Sequence, residues 1–336
     1  MIKFGIIGTN WITQQFIDAA KATNQWQLVG VYSRTMAKAE EFGIKNGATK
    51  FFEDIEKMVQ DDDIQVVYIA SPNSLHCKQA KQVIEADKIA IVEKPVVSNP
   101  MEFEQLNQLL KQHPKARLLE AARHIHEPNF QAIQNQLKQM PLIQGANLTY
   151  AKYSSRYDAF LSGKTPNVFS LDFAGGALQD LGVYVVYDAV SWFGMPEEVA
   201  YFPIKLRTRV DGHGVAILRY PEFDVTLNIG KNINSHLPSE IYGLKDTIVM
   251  DNAAELQKVD YFDSEGQDHL ISTTPDANPM TAEVKAFTQI IINPDSDESL
   301  RKYHEWFDLS RNVNKLLYNL RQNGKIYFTN EKNEEE

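Results

Sequence analysis

The 336-residue chain contains one cysteine, Cys77, so no disulfide can form within it. A lone thiol fits a reducing compartment, and Cys77 reads as a small buried apolar residue. Basic residues are also short: 34 Lys and Arg stand against 44 Asp and Glu, a net charge of −10. Nucleic acid and anionic membrane surfaces both need a basic face, so neither is an expected partner. Small anionic ligands stay open, because a few local Lys and Arg hold them. No apolar run approaches the ~20 residues of a membrane span. The N-terminus passes straight into Ile2-Lys3-Phe4-Gly5-Ile6-Ile7-Gly8, with no small-residue cleavage site. The cytoplasm is therefore the expected setting. His124 and His126 form a His-x-His pair, but no cysteine or carboxylate cluster accompanies them, and no metal is expected.

What the chain does contain is ordinary globular material, 43% hydrophobic and 23% charged. Over the first third, short β-rich runs at 3–7, 28–32, 66–70, 89–92 and 118–121 alternate with apolar spacing near 3.6. The helical segments are 16–22, 37–42, 55–59, 80–86 and 103–110. Such alternation implies a parallel sheet covered by helices on both faces. After Pro128 the pattern changes. A helix over 130–140 leads to closely spaced alternating runs at 148–153, 215–220, 223–228 and 247–250, which suggest an antiparallel sheet. Helices are expected at 177–193, 282–292 and 300–320, and the acidic end is expected to fray. The fold class is α/β, with residues 1–122 as a Rossmann domain. Residues 123–330 form a substrate-binding and oligomerisation domain with a large, open, mostly antiparallel sheet, and 331–336 an acidic tail.

Lys94 is the most informative residue. It stands in Glu93-Lys94-Pro95 at the end of the apolar run Ile89-Ala90-Ile91-Val92. A lysine at the carboxyl end of a parallel strand points into the crevice where open α/β sheets bind ligands. Gly8-Thr9-Asn10-Trp11-Ile12-Thr13 follows the first strand and opens the first helix, the place of a dinucleotide fingerprint. The second glycine is replaced by Asn10 and the third by Thr13; Asn10 suits a left-handed turn better than other side chains do. Thr9, Trp11 and Ile12 belong to the same cofactor loop. The second strand ends in Tyr32-Ser33-Arg34. NAD-preferring domains place an acid there for the ribose hydroxyl. A hydroxyl and a guanidinium suit a 2′-phosphate instead, so NADP is the preferred cofactor and NAD the alternative, with Arg34 then stacked on adenine.

Three motifs then fall in order. They are Val67-Tyr68-Ile69-Ala70-Ser71-Pro72-Asn73-Ser74-Leu75-His76, then Glu93-Lys94-Pro95, then Gly175-Gly176-Ala177-Leu178-Gln179-Asp180-Leu181-Gly182-Val183-Tyr184. Together they resemble the Gfo/Idh/MocA oxidoreductase family over nearly the whole chain, nearest the glucose–fructose oxidoreductase and dimeric dihydrodiol dehydrogenase branch. The resemblance implies a hydride transfer between a nicotinamide and a carbinol or carbonyl of a sugar, polyol, dihydrodiol or related small molecule. It puts Gly8 and Asn10 at the pyrophosphate and Ser33 and Arg34 at the adenosine ribose. Pro72, Asn73 and His76 fall beside the nicotinamide half, and Ser71, Glu93 and Lys94 are further cofactor-binding candidates. It makes Lys94 the catalytic lysine, with Asp180 and Tyr184 contacting the reacting carbinol. Many members carry His where Tyr184 stands, so Lys94, Tyr184 or both move the proton. A common Glu-Ala-x-x-x-Arg segment appears here as Glu120-Ala121-Ala122-Arg123-His124-Ile125, with the arginine displaced by two positions. That leaves the substrate open.

The chemistry suits these residue types. Hydride transfer leaves a proton to be taken from an alcohol oxygen, and a lysine partly desolvated beside a cation gives one up or takes one near neutral pH. Asp180 and Tyr184, four apart on a helix, share a face and are expected to meet Lys94 across a cleft. Gly175-Gly176 is expected to let backbone approach a ligand. Arg156, Tyr157 and Asn167 are further candidates for the substrate pocket. A different class of function on the same fold is a non-catalytic, dinucleotide-sensing regulator, which is expected to lack the lysine or its partners. An open sheet leaves one broad face uncovered, so a homodimer or larger homo-oligomer is expected.

Overall fold

The computed structural model describes residues 1–334. The chain divides into two compact units, Met1–Arg123 with Asp276–Arg311, and His124–Pro275 with the residues from Asn312 on.

The first unit opens with β1 (Ile2–Ile7), α1 (Trp11–Ala22), β2 (Trp26–Tyr32), α2 (Met36–Asn46), β3 (Lys50–Phe52) and α3 (Ile55–Val59). It continues with β4 (Val66–Ile69), α4 (His76–Glu85), β5 (Ile89–Glu93), α5 (Pro100–Gln112) and β6 (Arg117–Ala121). All six strands are parallel, in the order β3-β2-β1-β4-β5-β6. That is the doubly wound order, whose direction reverses between β1 and β4 and leaves a crevice at their carboxyl ends. The strands read as continuous apolar runs because both faces are covered. Val66–Ile69 is buried throughout. On one face Phe4, Phe16, Trp26 and Tyr68 form an aromatic core, with Phe16 stacked on Tyr68 at 3.9 Å. On the other, Ala80, Val83 and Ile84 of α4 and Phe103 and Leu106 of α5 close over Val67, Ile69 and Val92. Cys77 lies in this second core, where burial pushes its thiol up to about 12, outside the reactive range. The short β3 escapes the sequence pattern because three residues carry no periodicity.

The second unit contains α6 (Pro128–Leu137), β7 (Gly145–Ala151), α7 (Tyr157–Leu161) and α8 (Val183–Phe193). Seven strands follow: β8 (Glu198–Lys205), β9 (Asp211–Arg219), β10 (Asp224–Gly230), β11 (Ser239–Tyr242), β12 (Thr247–Met250), β13 (Val259–Phe262) and β14 (Asp268–Leu270). With β7 they make an eight-stranded sheet ordered β14-β13-β12-β11-β7-β10-β9-β8. Its pairs are antiparallel except β7 with β10. The helix expected over 177–193 begins differently: Leu178–Gly182 is one π-helical turn, and α8 proper starts at Val183. From Val183 to Val190 every residue of α8 is buried.

Two helices close the chain, α9 (Thr281–Ile292) and α10 (Asp297–Asn323). The sequence places both beyond the second sheet. In the structure α9 packs in the first unit instead, because Met280, Val284, Phe287 and Ile290 complete the core over β1 and β2. Its Thr288 hydroxyl also accepts from the Trp26 indole at 2.7 Å. The acidic tail is less frayed than expected. Thr329–Glu334 forms a 3-10 turn, and Arg321 holds Glu331 at 2.5 Å; residues 335–336 lie outside the described residues.

Candidate functional site

In the first unit three loops leave the carboxyl ends of β1, β4 and β5. Gly8 ends β1 at φ 110°. A Cβ there would stand 2.6 Å from the Ala70 carbonyl oxygen, so only glycine lets the first two loops approach so closely. Asn10 corrects the sequence reading. It is extended (φ −100°, ψ −179°), not left-handed. Its Oδ1 accepts from the Ile12 and Thr13 amides at 3.0 and 3.1 Å, capping α1. Its Nδ2 donates to the Ala70 carbonyl at 2.9 Å. Asn10 thus substitutes for the second glycine by capping and by tying two loops together; such a cap contributes about 1 kcal/mol. Thr13, at the third glycine, is fully buried. Trp11 projects at the helix start, 70% exposed.

Ser33 and Arg34 follow β2, which borders β1 in the sheet. The Ser33 amide is fixed by the Phe52 carbonyl at 3.0 Å, and Arg34 is exposed. No carboxylate takes the place of these two residues.

The β4 loop carries Ser71, Pro72 and Asn73, all half-buried. The Ser71 hydroxyl donates to Gln79 at 2.6 Å. His76 is buried, with Nδ1 at 2.9 Å from the Pro95 carbonyl and Nε2 at 2.8 Å from the Ser71 carbonyl. Burial holds its pKa below the ordinary imidazole value, against the pull of those two carbonyls. Both ring nitrogens therefore face backbone carbonyls, the neutral ring donating its one N–H to either of them, and His76 lies between the β4 loop and the β5 loop. Glu93 is likewise buried, accepting from the Tyr68 hydroxyl at 2.6 Å. Burial raises its pKa, opposed by Lys94, Tyr68 and Arg123. Lys94 itself is half-buried, and Lys94–Pro95 is a cis peptide. Beyond it, the Val96 amide donates to Glu120 at 2.9 Å, and the Ser310 hydroxyl donates to the other oxygen of Glu120. Lys94 is thus anchored on both sides by groups that sequence reasoning did not single out: Tyr68, Glu120 and Ser310.

In the second unit Asp180 lies on the π turn and Tyr184 at the start of α8. Gly175 and Gly176 explain how the turn begins, and they correct a second reading. The close approach is to the chain's own backbone, since a Cβ on Gly175 would stand 2.6 Å from the Val168 carbonyl carbon. Gly176 sits at φ 124° against the Asp211 carboxylate. Asp211 then accepts from the Leu178 amide and from the Tyr201 hydroxyl, each at 2.6 Å, and so caps the turn. Burial raises the pKa of Asp211, opposed by those two donors and by Lys231. Asp180 pairs with Lys231 at 2.6 Å, a residue the sequence reading did not name. Lys231 directly follows the alternating strand β10, as Lys94 directly follows β5.

Tyr184 packs against Tyr150 (centroids 5.4 Å, 71°) and His124 (4.9 Å, 57°). His124 Nε2 lies 3.3 Å from Asp188, one turn further along α8, and both side chains are buried. Burial lifts the Asp188 carboxyl well above the usual carboxylate range. His126 is half-buried, and desolvation of its ring lowers its pKa to about 3. Among the described residues no group of three or more potential metal ligands exists. Of the substrate candidates, Arg156 and Asn167 are exposed, while Tyr157 joins an aromatic cluster with Phe160 and Phe169.

A doubly wound sheet with a glycine-tight β1 loop and a lysine after β5 defines a dinucleotide-binding protein. Residues 2–121 match the model of the oxidoreductase family with an NAD-binding Rossmann fold. The chain is 36% identical, over 97% of its length and 98% of the relative's, to a scyllo-inositol 2-dehydrogenase (NADP+) of Bacillus subtilis. It is 27% identical, over 72% of its length and 71% of the relative's, to a mouse (Mus musculus) trans-1,2-dihydrobenzene-1,2-diol dehydrogenase. In fold it is similar to a 3-ketoreductase from Actinomadura kijaniata solved with NADP and TDP-benzene (TM-score 0.84, 21% identity, 97% of this chain and 99% of that one). The chain belongs to the Gfo/Idh/MocA oxidoreductase family, and its cofactor is a nicotinamide dinucleotide. No helix among the described residues is long and apolar enough to cross a membrane.

Proposed function

We propose that this enzyme is an NADP-preferring dehydrogenase or reductase acting on a CH–OH group of a cyclic polyol or related sugar-like compound. The observation that carries this reading is Lys94, half-buried at the carboxyl end of β5 and anchored on both sides, in a sheet whose β1 loop requires glycine at position 8. The likeness to an NADP-dependent inositol dehydrogenase over the full chain supports the polyol class. Gly8, Asn10 and the start of α1 suit a pyrophosphate, and Ser33 and Arg34 suit a 2′-phosphate. Bound there, the nicotinamide supplies the carbon that accepts or returns a hydride. In this reading the Lys94 Nζ stabilises charge on the substrate oxygen. Tyr184 takes the proton of that oxygen as a phenolate in oxidation and returns it as a phenol in reduction, and Asp180 accepts a hydrogen bond from the substrate. His76, lying between the β4 and β5 loops, positions them.

Inositols, aldoses and trans-dihydrodiols assayed with NADP+ and with NAD+, by absorbance of the reduced cofactor, test this directly. Oxidation of a cyclic polyol is expected, faster with NADP+. Arg34→Ala is expected to weaken NADPH by ~1.5–3 kcal/mol, the worth of a hydrogen bond to a charged group, and to leave NADH nearly unchanged. Equal binding of NADH and NADPH by the unaltered enzyme sinks the cofactor preference.

The second unit is also read as the assembly surface. On one face of its sheet Phe202 pairs with Val215 and Ala200 with Ile217, with Ile204 beside them. Phe202 is 64% and Ile204 56% exposed. An apolar patch of this kind is buried by a symmetry mate in many oligomers. A homodimer or larger closed assembly is expected by light scattering at micromolar concentration; a monomer contradicts it.

A further inference from the structure

Lys231 is a fully buried lysine, and its ammonium has three identified neighbours. It pairs with Asp180 at 2.6 Å, donates to the Val168 carbonyl at 3.0 Å and lies 4.6 Å from the Phe169 ring centroid. Its backbone is bound too. The Lys231 amide donates to the Gly212 carbonyl, and the Lys231 carbonyl accepts from the Ser154 amide, both at 2.8 Å. The neighbouring Asn232 donates to the Tyr157 hydroxyl at 3.5 Å. One residue therefore joins three segments distant in sequence: the 154–157 turn, the 167–169 turn and the π turn that carries Asp180.

A lysine is almost never fully buried unless paired, and its charge is costly to desolvate. Leucine or methionine would fill the same volume without that cost. The Asp180 side chain is 32% exposed, whereas its counter-ion is fully buried. Such a carboxylate is held ionised and in one orientation by a cation that solvent cannot reach or screen. Charged or titratable groups near this pair include Asp211 of β9, which Lys231 also influences, Tyr201 of β8 bonded to Asp211, and Tyr157 at the Asn232 amide; Tyr184 follows Asp180 by four residues.

From this geometry we infer that Lys231 is a positioning residue for the reaction. It keeps Asp180 ionised and aimed at the substrate and locks the two turns beside it in place. This rests on the reading of Asp180 as a substrate contact. Lys231→Met is expected to lower kcat about 10- to 100-fold, the worth of one hydrogen bond to a charged group. Loss of the cation makes Asp180 easier to protonate, so the acid limb of the pH–rate profile is expected to move to higher pH by about 1 unit or more. In an Asp180→Asn background the same substitution is expected to cost less than ~3-fold, because the two act as one unit. An equal cost in both backgrounds, or an acid limb that does not move, overturns the proposal and leaves Lys231 a structural residue. An Asp180→Asn enzyme with unaltered kcat, KM and pH profile instead overturns the reading of Asp180 itself. If Lys231→Met does not fold, Lys231→Gln decides the matter: it keeps a donor for Val168 and removes the charge. A raised acid limb then supports the proposal, and an unmoved one overturns it.

Discussion

Lys94→Met is expected to lower kcat by at least ~10²-fold, the usual worth of a group that moves a proton or stabilises charge in the transition state. NADPH affinity should hardly change. The reason lies in how the residue is carried. On its N-terminal side Glu93 is buried against the Tyr68 hydroxyl at 2.6 Å. On its C-terminal side the Pro95 carbonyl faces His76 at 2.9 Å and the Val96 amide is bound to Glu120 at 2.9 Å. These contacts run through backbone or through other side chains, so methionine removes the amine and leaves the loop in place. The groups read as holding pyrophosphate and adenosine lie on the β1 and β2 loops and are not disturbed. Steady-state kcat with a fluorescence titration of NADPH separates the two effects. A Lys94→Met enzyme that turns over at the unaltered rate ends the proposed chemistry. A loss of cofactor binding as large as the loss of rate moves Lys94 from chemistry to binding.

The parts of this design that were legible in sequence share one property: they are periodic or they end a strand. The buried strands of the first unit were visible as continuous apolar runs, because helices cover both faces and no alternation is imposed. Lys94 was visible because a charge directly after such a run is anomalous. Lys231 has the same signature after β10, but there the strand alternates, with Thr226 and Asn228 half-buried on the other face. The lysine then looks like one more polar position. The capping role of Asn10 was missed for a different reason. The sequence shows that a glycine is absent, and conformational preference suggests a left-handed substitute. Whether the side chain instead satisfies two helix amides is decided by the β4 loop, 60 residues away, whose carbonyl holds its other end. Gly175 and Gly176 repeat the lesson, since the atoms that forbid a Cβ there belong to Val168 and Asp211. The placement of α9 was not legible because its amphipathic stripe says that it packs, not which sheet it packs on.

Tyr184→Phe is expected to cost about as much as Lys94→Met, ~10²-fold or more in kcat, if the phenol carries the proton as proposed. The substitution is clean because the ring is already held. Tyr184 is 9% exposed, edge-on to Tyr150 and tilted against His124. Behind it the His124 ring lies buried beside Asp188, so phenylalanine keeps the ring contacts and loses one hydroxyl. Stability should therefore change little, and a melting temperature near that of the unaltered enzyme checks that the loss is chemical. The limb of the pH–rate profile that reports the proton acceptor should disappear. If Lys94 alone moves the proton, the hydroxyl is worth only one neutral hydrogen bond, and the loss should stay below ~10-fold. The pair of variants is decisive in combination. Where the two residues serve one proton transfer, the doubly substituted enzyme should be scarcely slower than either single one, because residues that act as a unit are not additive. Costs that multiply in the double variant mean that Lys94 and Tyr184 act on separate features of the transition state, with Lys94 stabilising charge while Tyr184 moves the proton.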